Sequence, residues 1–240
     1  MMRWASLAAA LALAAPALAD DAADWRVCER ASANPQAGIA ACARLIDGKK
    51  QPPADLALAY YNRGNAFAML NQYARAIEDY SRAIELSPKD AQAHANRGIA
   101  FYALRKYALA IEDFDRAIAL DAKDANFYNL RGATYRALDK LEEAILDYDR
   151  AIDLKPDFAQ AYNNRGNAYS IQGHNARALD DYDRAIKLVP NYASAYQNRA
   201  VAHEALGNKA EAIRDYRAAL RLDPTLDDSR KGLVRLAAQR

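Results

Sequence analysis

The sequence predicts an all-α chain assembled from copies of one helix–turn–helix unit. Three observations carry that expectation. An arginine recurs at one interval of 34 residues, as Arg63, Arg97, Arg131, Arg165 and Arg199, with no insertion or deletion between them. Self-similarity at a fixed period of this length marks a repeat array. Within each copy, apolar residues return every three or four positions in two successive stretches, as two amphipathic helices require. Small and large residues also alternate at matched places. Gly64, Gly98, Gly132, Gly166 and Ala200 hold one place, and the aromatics Tyr80, Phe114, Tyr148, Tyr182 and Tyr216 hold another.

The chain has 240 residues and a formal net charge of +2. That balance, with no run of like charges, excludes the basic stripe of a nucleic-acid-binding surface. Residues 1–19 read as a secretory signal peptide. Arg3 supplies the positive start, the stretch from Trp4 to Ala15 is apolar, Pro16 breaks the helix, and Ala17-Leu18-Ala19 offers small residues for cleavage before Asp20. The apolar run is short for a membrane span, so no span is expected after cleavage.

Residues 20–56 form the next predicted region, a tied helix pair and linker. One helix is expected over Asp24–Ala33 and a second over Gln36–Ile46, with Pro35 at its first position. The even cysteine count in an exported chain predicts a Cys28–Cys42 disulfide, closing a loop worth roughly 3 kcal/mol. No Cys-x-x-Cys spacing or nearby His points to redox or metal chemistry. Asp47 to Pro53 is a linker.

Five copies follow, at 57–90, 91–124, 125–158, 159–192 and 193–226. In the first, the leading helix runs from about Leu56 to Leu70 and the second from Tyr73 to Leu86. Interior glycine costs a helix about 1 kcal/mol relative to alanine. Its return at one phase implies a close approach that a β-carbon would block. Pro88, Pro156, Pro190 and Pro224 close copies; Ala122 is the exception. Acidic residues such as Glu78 and Glu112 have basic neighbours four residues on, Arg82 and Arg116, as on a solvated face. Residues 227–240 form one capping helix, with Leu233 and Leu236 turned inward.

The period and the ordered small, aromatic, alanine, aromatic, alanine and proline places resemble the tetratricopeptide repeat family over residues 57–226. The resemblance implies a right-handed α-solenoid of helix–turn–helix repeats whose leading helices line a concave groove for peptides or helices. It implies a binding protein, not an enzyme. Groove residues carried over by position are Tyr61, Asn65, Asn96, Ile99, Tyr102, Asn129, Asn163, Asn167 and Asn198. Their chemistry is mostly carboxamide, which donates and accepts together and suits a peptide backbone.

The chain departs from the family where leucine is usual and arginine stands here. Aspartates recur with the same period, so the expected ladder pairs Arg63 with Asp79, Arg97 with Asp113, Arg131 with Asp147, Arg165 with Asp181 and Arg199 with Asp215. Arginine suits a bidentate carboxylate partner. The competing reading turns these arginines to the groove to receive an acidic peptide. His94, His174 and His203 lie in different copies, so no metal or other cofactor is expected. The predicted function is a periplasmic scaffold or adaptor binding a protein or peptide partner; the alternative is a chaperone-like module for exported or cell-envelope proteins.

Overall fold

The computed structural model describes residues 15–48 and 51–238, and the side chains from Asp21 onward. Thirteen helices and no strand occur among the described residues. Contacts divide the chain into two units meeting in sequence at Lys106 and Tyr107.

The first unit holds α1 (Ala15–Cys28), α2 (Pro35–Asp47), α3 (Pro53–Met69), α4 (Tyr73–Leu86) and α5 (Ala91–Ala103). Most of the expected signal peptide, residues 1–14, lies outside the described residues, as do Lys49 and Lys50 of the linker. Pro16 lies in α1 at the edge of the described residues, so the expected helix break before it falls outside them. The helix expected over Asp24–Ala33 ends instead at Cys28. A β-carbon on Gly38 would come within 2.4 Å of Ala31, so the α1–α2 turn presses directly on α2. Asn34 caps α2 by accepting from the Ala37 amide, and Pro35 sits in its first turn.

Cys28 and Cys42 are joined by a disulfide with Cα atoms 4.9 Å apart, and both are fully buried. Around them pack Ala31, Ala41 and Leu45, with Ala59 and Ala66 of α3. Cys42 stands 34 residues before Ala76, and Asp47 stands 34 before Ser81. Thus α2 occupies the register of a second helix in an incomplete copy. Replacing both cysteines by alanine is expected to lower stability by about 3 kcal/mol, read as a lower urea midpoint in the oxidised protein.

The second unit holds α6 (Tyr107–Leu120), α7 (Ala125–Ala137), α8 (Leu141–Leu154), α9 (Ala159–Ile171), α10 (Asn175–Leu188), α11 (Ala193–Ala205), α12 (Lys209–Leu222) and α13 (Asp227–Ala238). Each leading helix packs on its own second helix, and that second helix packs on the next leading helix. The small places exist because an aromatic ring fills the space beside them. A β-carbon on Gly166 would lie 2.7 Å from the Tyr182 ring, and one on Gly132 would lie 2.9 Å from that of Tyr148.

The turn inside every copy is built alike. Asn71, Arg105, Asp139, Gly173 and Gly207 all have φ between 57° and 78°. The following amide reaches back five residues, as from Gln72 to the Phe67 carbonyl (2.8 Å) and from His174 to that of Tyr169 (2.8 Å). This is the left-handed helix ending that glycine adopts freely. Arg105→Gly is therefore expected to stabilise the chain by about 1 kcal/mol, visible as a raised thermal midpoint. On the outer face Arg82 bonds Glu85 at 2.7 Å rather than the expected Glu78.

Candidate functional site: a carboxamide-lined face and its arginine lattice

The leading helices carry two sets of polar side chains, an arginine set toward the second helices and a carboxamide set on the opposite side. In the first unit Arg63 makes two parallel bonds to Asp79, Nε and Nη2 each at 2.8 Å. Arg131 grips Asp147 through Nε and Nη2 (2.8 and 2.7 Å), Arg165 grips Asp181 (2.9 and 2.6 Å), and Arg199 grips Asp215 (2.7 Å twice). Arg97 donates to Ser81 Oγ at 3.0 Å, and Asp113 is buried on α6.

A second row of carboxylates escaped the sequence reading. Arg131 also bonds Asp115 (2.5 Å), Arg165 bonds Asp149 (2.5 Å) and Arg199 bonds Asp183 (2.6 Å). Each of these aspartates follows the aromatic of the preceding copy. One guanidinium thus joins two copies, and the signal was present as a second aspartate at period 34. Ser81 fills that place before Arg97, and Arg217 fills it on α12. The Asp47 charge also acts on Arg63, whose guanidinium rises above its ordinary value mainly through the Asp79 bonds. Burial pushes the Asp147 and Asp181 carboxyls up, with Arg131 and Arg165 pulling them back.

The carboxamides divide by depth. Asn129 and Asn163 were expected to face a ligand, but they are only 4% and 5% exposed. Their Oδ1 atoms accept from Asn164 Nδ2 (2.9 Å) and Asn198 Nδ2 (3.0 Å) of the next copy. The neighbouring leading helix covers them, so they brace copies together.

Asn65 and Asn96 remain half open, in a cavity of about 340 Å³ with Ala68, Met69, Tyr73 and Ile99. Asn65 Oδ1 accepts from Tyr80 Oη (2.8 Å) and Asn96 Nδ2 (3.0 Å), and Asn96 Nδ2 also donates to Tyr61 Oη (3.0 Å). Among the described residues, Asn65 Nδ2 and Asn96 Oδ1 are left as one donor and one acceptor. Tyr61 and Tyr102 are half-buried, and Ile99 is exposed.

The second unit repeats this pattern 102 residues on. Asn167 Oδ1 accepts from Tyr182 Oη (2.8 Å), while Asn198 spends Nδ2 on Asn163. Asn167 Nδ2 and Asn198 Oδ1 again remain, in a cavity of about 230 Å³ with Arg136, Ser170, Ile171 and Val201. Burial pushes the Tyr182 hydroxyl above its ordinary value, so it stays a donor at neutral pH. Among the described residues, no group of three or more His, Cys, Asp or Glu is placed to hold a metal ion. No described helix is long and apolar enough to cross a membrane.

A TPR-repeat model matches residues 64–105 and 134–173, and tetratricopeptide-repeat models match 91–124, 159–192 and 193–226. Among curated proteins, none matches at a significant level. The crystal structure of MamA protein superposes with a TM-score of 0.60 at 25% identity, covering 70% of this chain and 92% of that one. Pseudomonas aeruginosa pilF gives 0.65 at 20% identity, over 79% and 92%. YrrB, described as a TPR protein with an unusual peptide-binding site, gives 0.59 at 21% identity, over 78% and 95%. With stacked helix–turn–helix copies at a 34-residue period and repeat models spanning most of residues 64–226, this all-α solenoid belongs to the tetratricopeptide repeat family.

Proposed function

We propose that this protein is a non-catalytic interaction scaffold that binds an extended peptide segment of a partner protein along its leading helices. One observation carries the reading. Asn65 Nδ2 with Asn96 Oδ1, and again Asn167 Nδ2 with Asn198 Oδ1, leave one donor and one acceptor on residues that line the same open cavity. A peptide unit carries one of each and pairs with both. Ile99 in the first unit and Ile171 with Val201 in the second add exposed apolar surface for partner side chains. Fixed tyrosine bonds pre-orient Asn65 and Asn167, which lowers the ordering cost of binding.

The arginine lattice is structural in this reading, because each of Arg63, Arg131, Arg165 and Arg199 is already bonded to carboxylate. The disulfide and the signal-like residues 1–19 support an exported protein working in a bacterial periplasm. The test is site-specific photocrosslinking in periplasmic extract, with the probe at Ile99, Val201 or, as a control on a second helix, Leu146. Capture at Ile99 and Val201 but not Leu146 is the expected result. One recurrent partner identifies an adaptor and many clients identify a chaperone. Equal capture at Leu146, or none at the two cavity positions, contradicts the reading.

A further inference from the structure

We propose that the outer face of α12 and α13 is a docking seat for an amphipathic helix of a partner protein, bearing an acidic residue followed by a small one. The argument starts from register. Packed on α12 and touching α11, α13 sits as α11 sits on α10 and α9. Arg230 Nη2 donates to the Pro224 carbonyl (2.9 Å), as Tyr196 Oη, 34 residues earlier, donates to that of Pro190 (3.3 Å). So α13 is the leading helix of a sixth copy, and its residues map onto those of the fifth.

On that map Leu233, Val234 and Ala237 take the places of Arg199, Ala200 and His203, on the side where a leading helix meets its own second helix. Ala200 is 0% exposed, packed beside Tyr216, whereas Val234 is 67% exposed. Among the described residues nothing occupies the second-helix seat. A cavity of about 350 Å³ remains there, lined by Lys209, Ile213, Arg217, Leu233, Val234 and Ala237 among others.

The lining specifies its occupant. In the third to fifth copies the leading-helix arginine sits between two aspartates, one on each flanking second helix. Here the roles are exchanged. Leucine stands in the arginine place, and Arg217 stands where Asp115, Asp149 and Asp183 stand elsewhere. An incoming helix that keeps the aspartate place therefore finds its cation in Arg217, with Lys209 nearby. The next residue on that helix meets Val234. At Gly166 even a β-carbon would crowd the Tyr182 ring, so valine excludes a tyrosine and admits an alanine.

The probe is a labelled, amidated peptide of residues 175–188 carrying Tyr182→Ala, stapled on its outward face, titrated into the full chain and read by fluorescence anisotropy. Saturable binding is expected, weakened about tenfold by Arg217→Glu in the chain or Asp181→Asn in the peptide. The peptide that keeps Tyr182 should bind about tenfold more weakly, and Val234→Ala in the chain should restore it. Both chain positions are exposed, and thermal melts check that the variants remain folded. Absence of saturable binding, or binding indifferent to Arg217→Glu and Val234→Ala, overturns the proposal. So does concentration-dependent self-association abolished by Arg217→Glu, which would assign the seat to a second copy of this chain.

Discussion

Asp147→Ala is expected to lower the stability of the chain by about 3 kcal/mol. The carboxylate is buried and receives two bonds from Arg131. Removing it leaves a half-buried guanidinium with the more exposed Asp115 as its remaining bonded carboxylate. Asp149→Ala removes a single bond from Arg165 and exposes little that was buried, so about 1 kcal/mol or less is expected. Urea denaturation of the two variants should separate these magnitudes. The contrast lies between carboxylates two residues apart on α8, which makes burial rather than charge count the deciding variable.

Gly166→Val is expected to cost about 3 kcal/mol or more. Helix propensity argues the other way, since glycine is the poorest helix former after proline. Packing wins because the β-carbon would lie 2.7 Å from one Tyr182 ring carbon and 3.0 Å from another. Valine adds two further methyl groups on the same side. Ala200 holds the equivalent place and packs in one buried cluster with Tyr216, so a single β-carbon is accommodated there. Gly166→Ala should therefore cost distinctly less than Gly166→Val. Circular dichroism melts of the two variants check the order.

The array was legible in the sequence because every copy repeats the same volumes at the same places, and volume exclusion between helices is local. The arginine and aspartate positions were legible for the same reason. Depth along the leading helices was not. Asn129 and Asn163 share a face with Asn65 and Asn167, and only the next copy's Asn164 and Asn198 decide that they are covered. The row Asp115, Asp149 and Asp183 was passed over because an aspartate on a second helix reads as solvated until a guanidinium from the next copy reaches it. The partial copies at α2 and α13 were hidden because Leu45 and Ile46 stand where the second helices carry aspartate and an aromatic, and Leu233 and Val234 stand where the leading helices carry arginine and a small residue, although Asp47 and Arg230 keep the register.

Bonding at the fifth copy reaches the cap as well. Arg235 grips Glu204 through Nε and Nη2 (2.6 and 2.8 Å) and holds that carboxyl below its usual range. Tyr216 Oη donates to the same carboxylate at 2.9 Å, and burial with this bond pushes its hydroxyl up to about 12. A protonated Tyr216 thus persists through neutral pH, keeping α11, α12 and α13 tied at one point.

The most direct test of the arginine lattice is a double-mutant cycle on Arg165 and Asp181, using Arg165→Met and Asp181→Leu with unfolding free energies from urea titration. If the pair is desolvated and structural, each single variant loses about 3 kcal/mol. The double variant then loses little more than one single variant alone, with a coupling of about 2–3 kcal/mol, at the upper end of what contacting residues show. Additive losses, with coupling under about 0.5 kcal/mol, would contradict the lattice and return these arginines to the ligand-facing role.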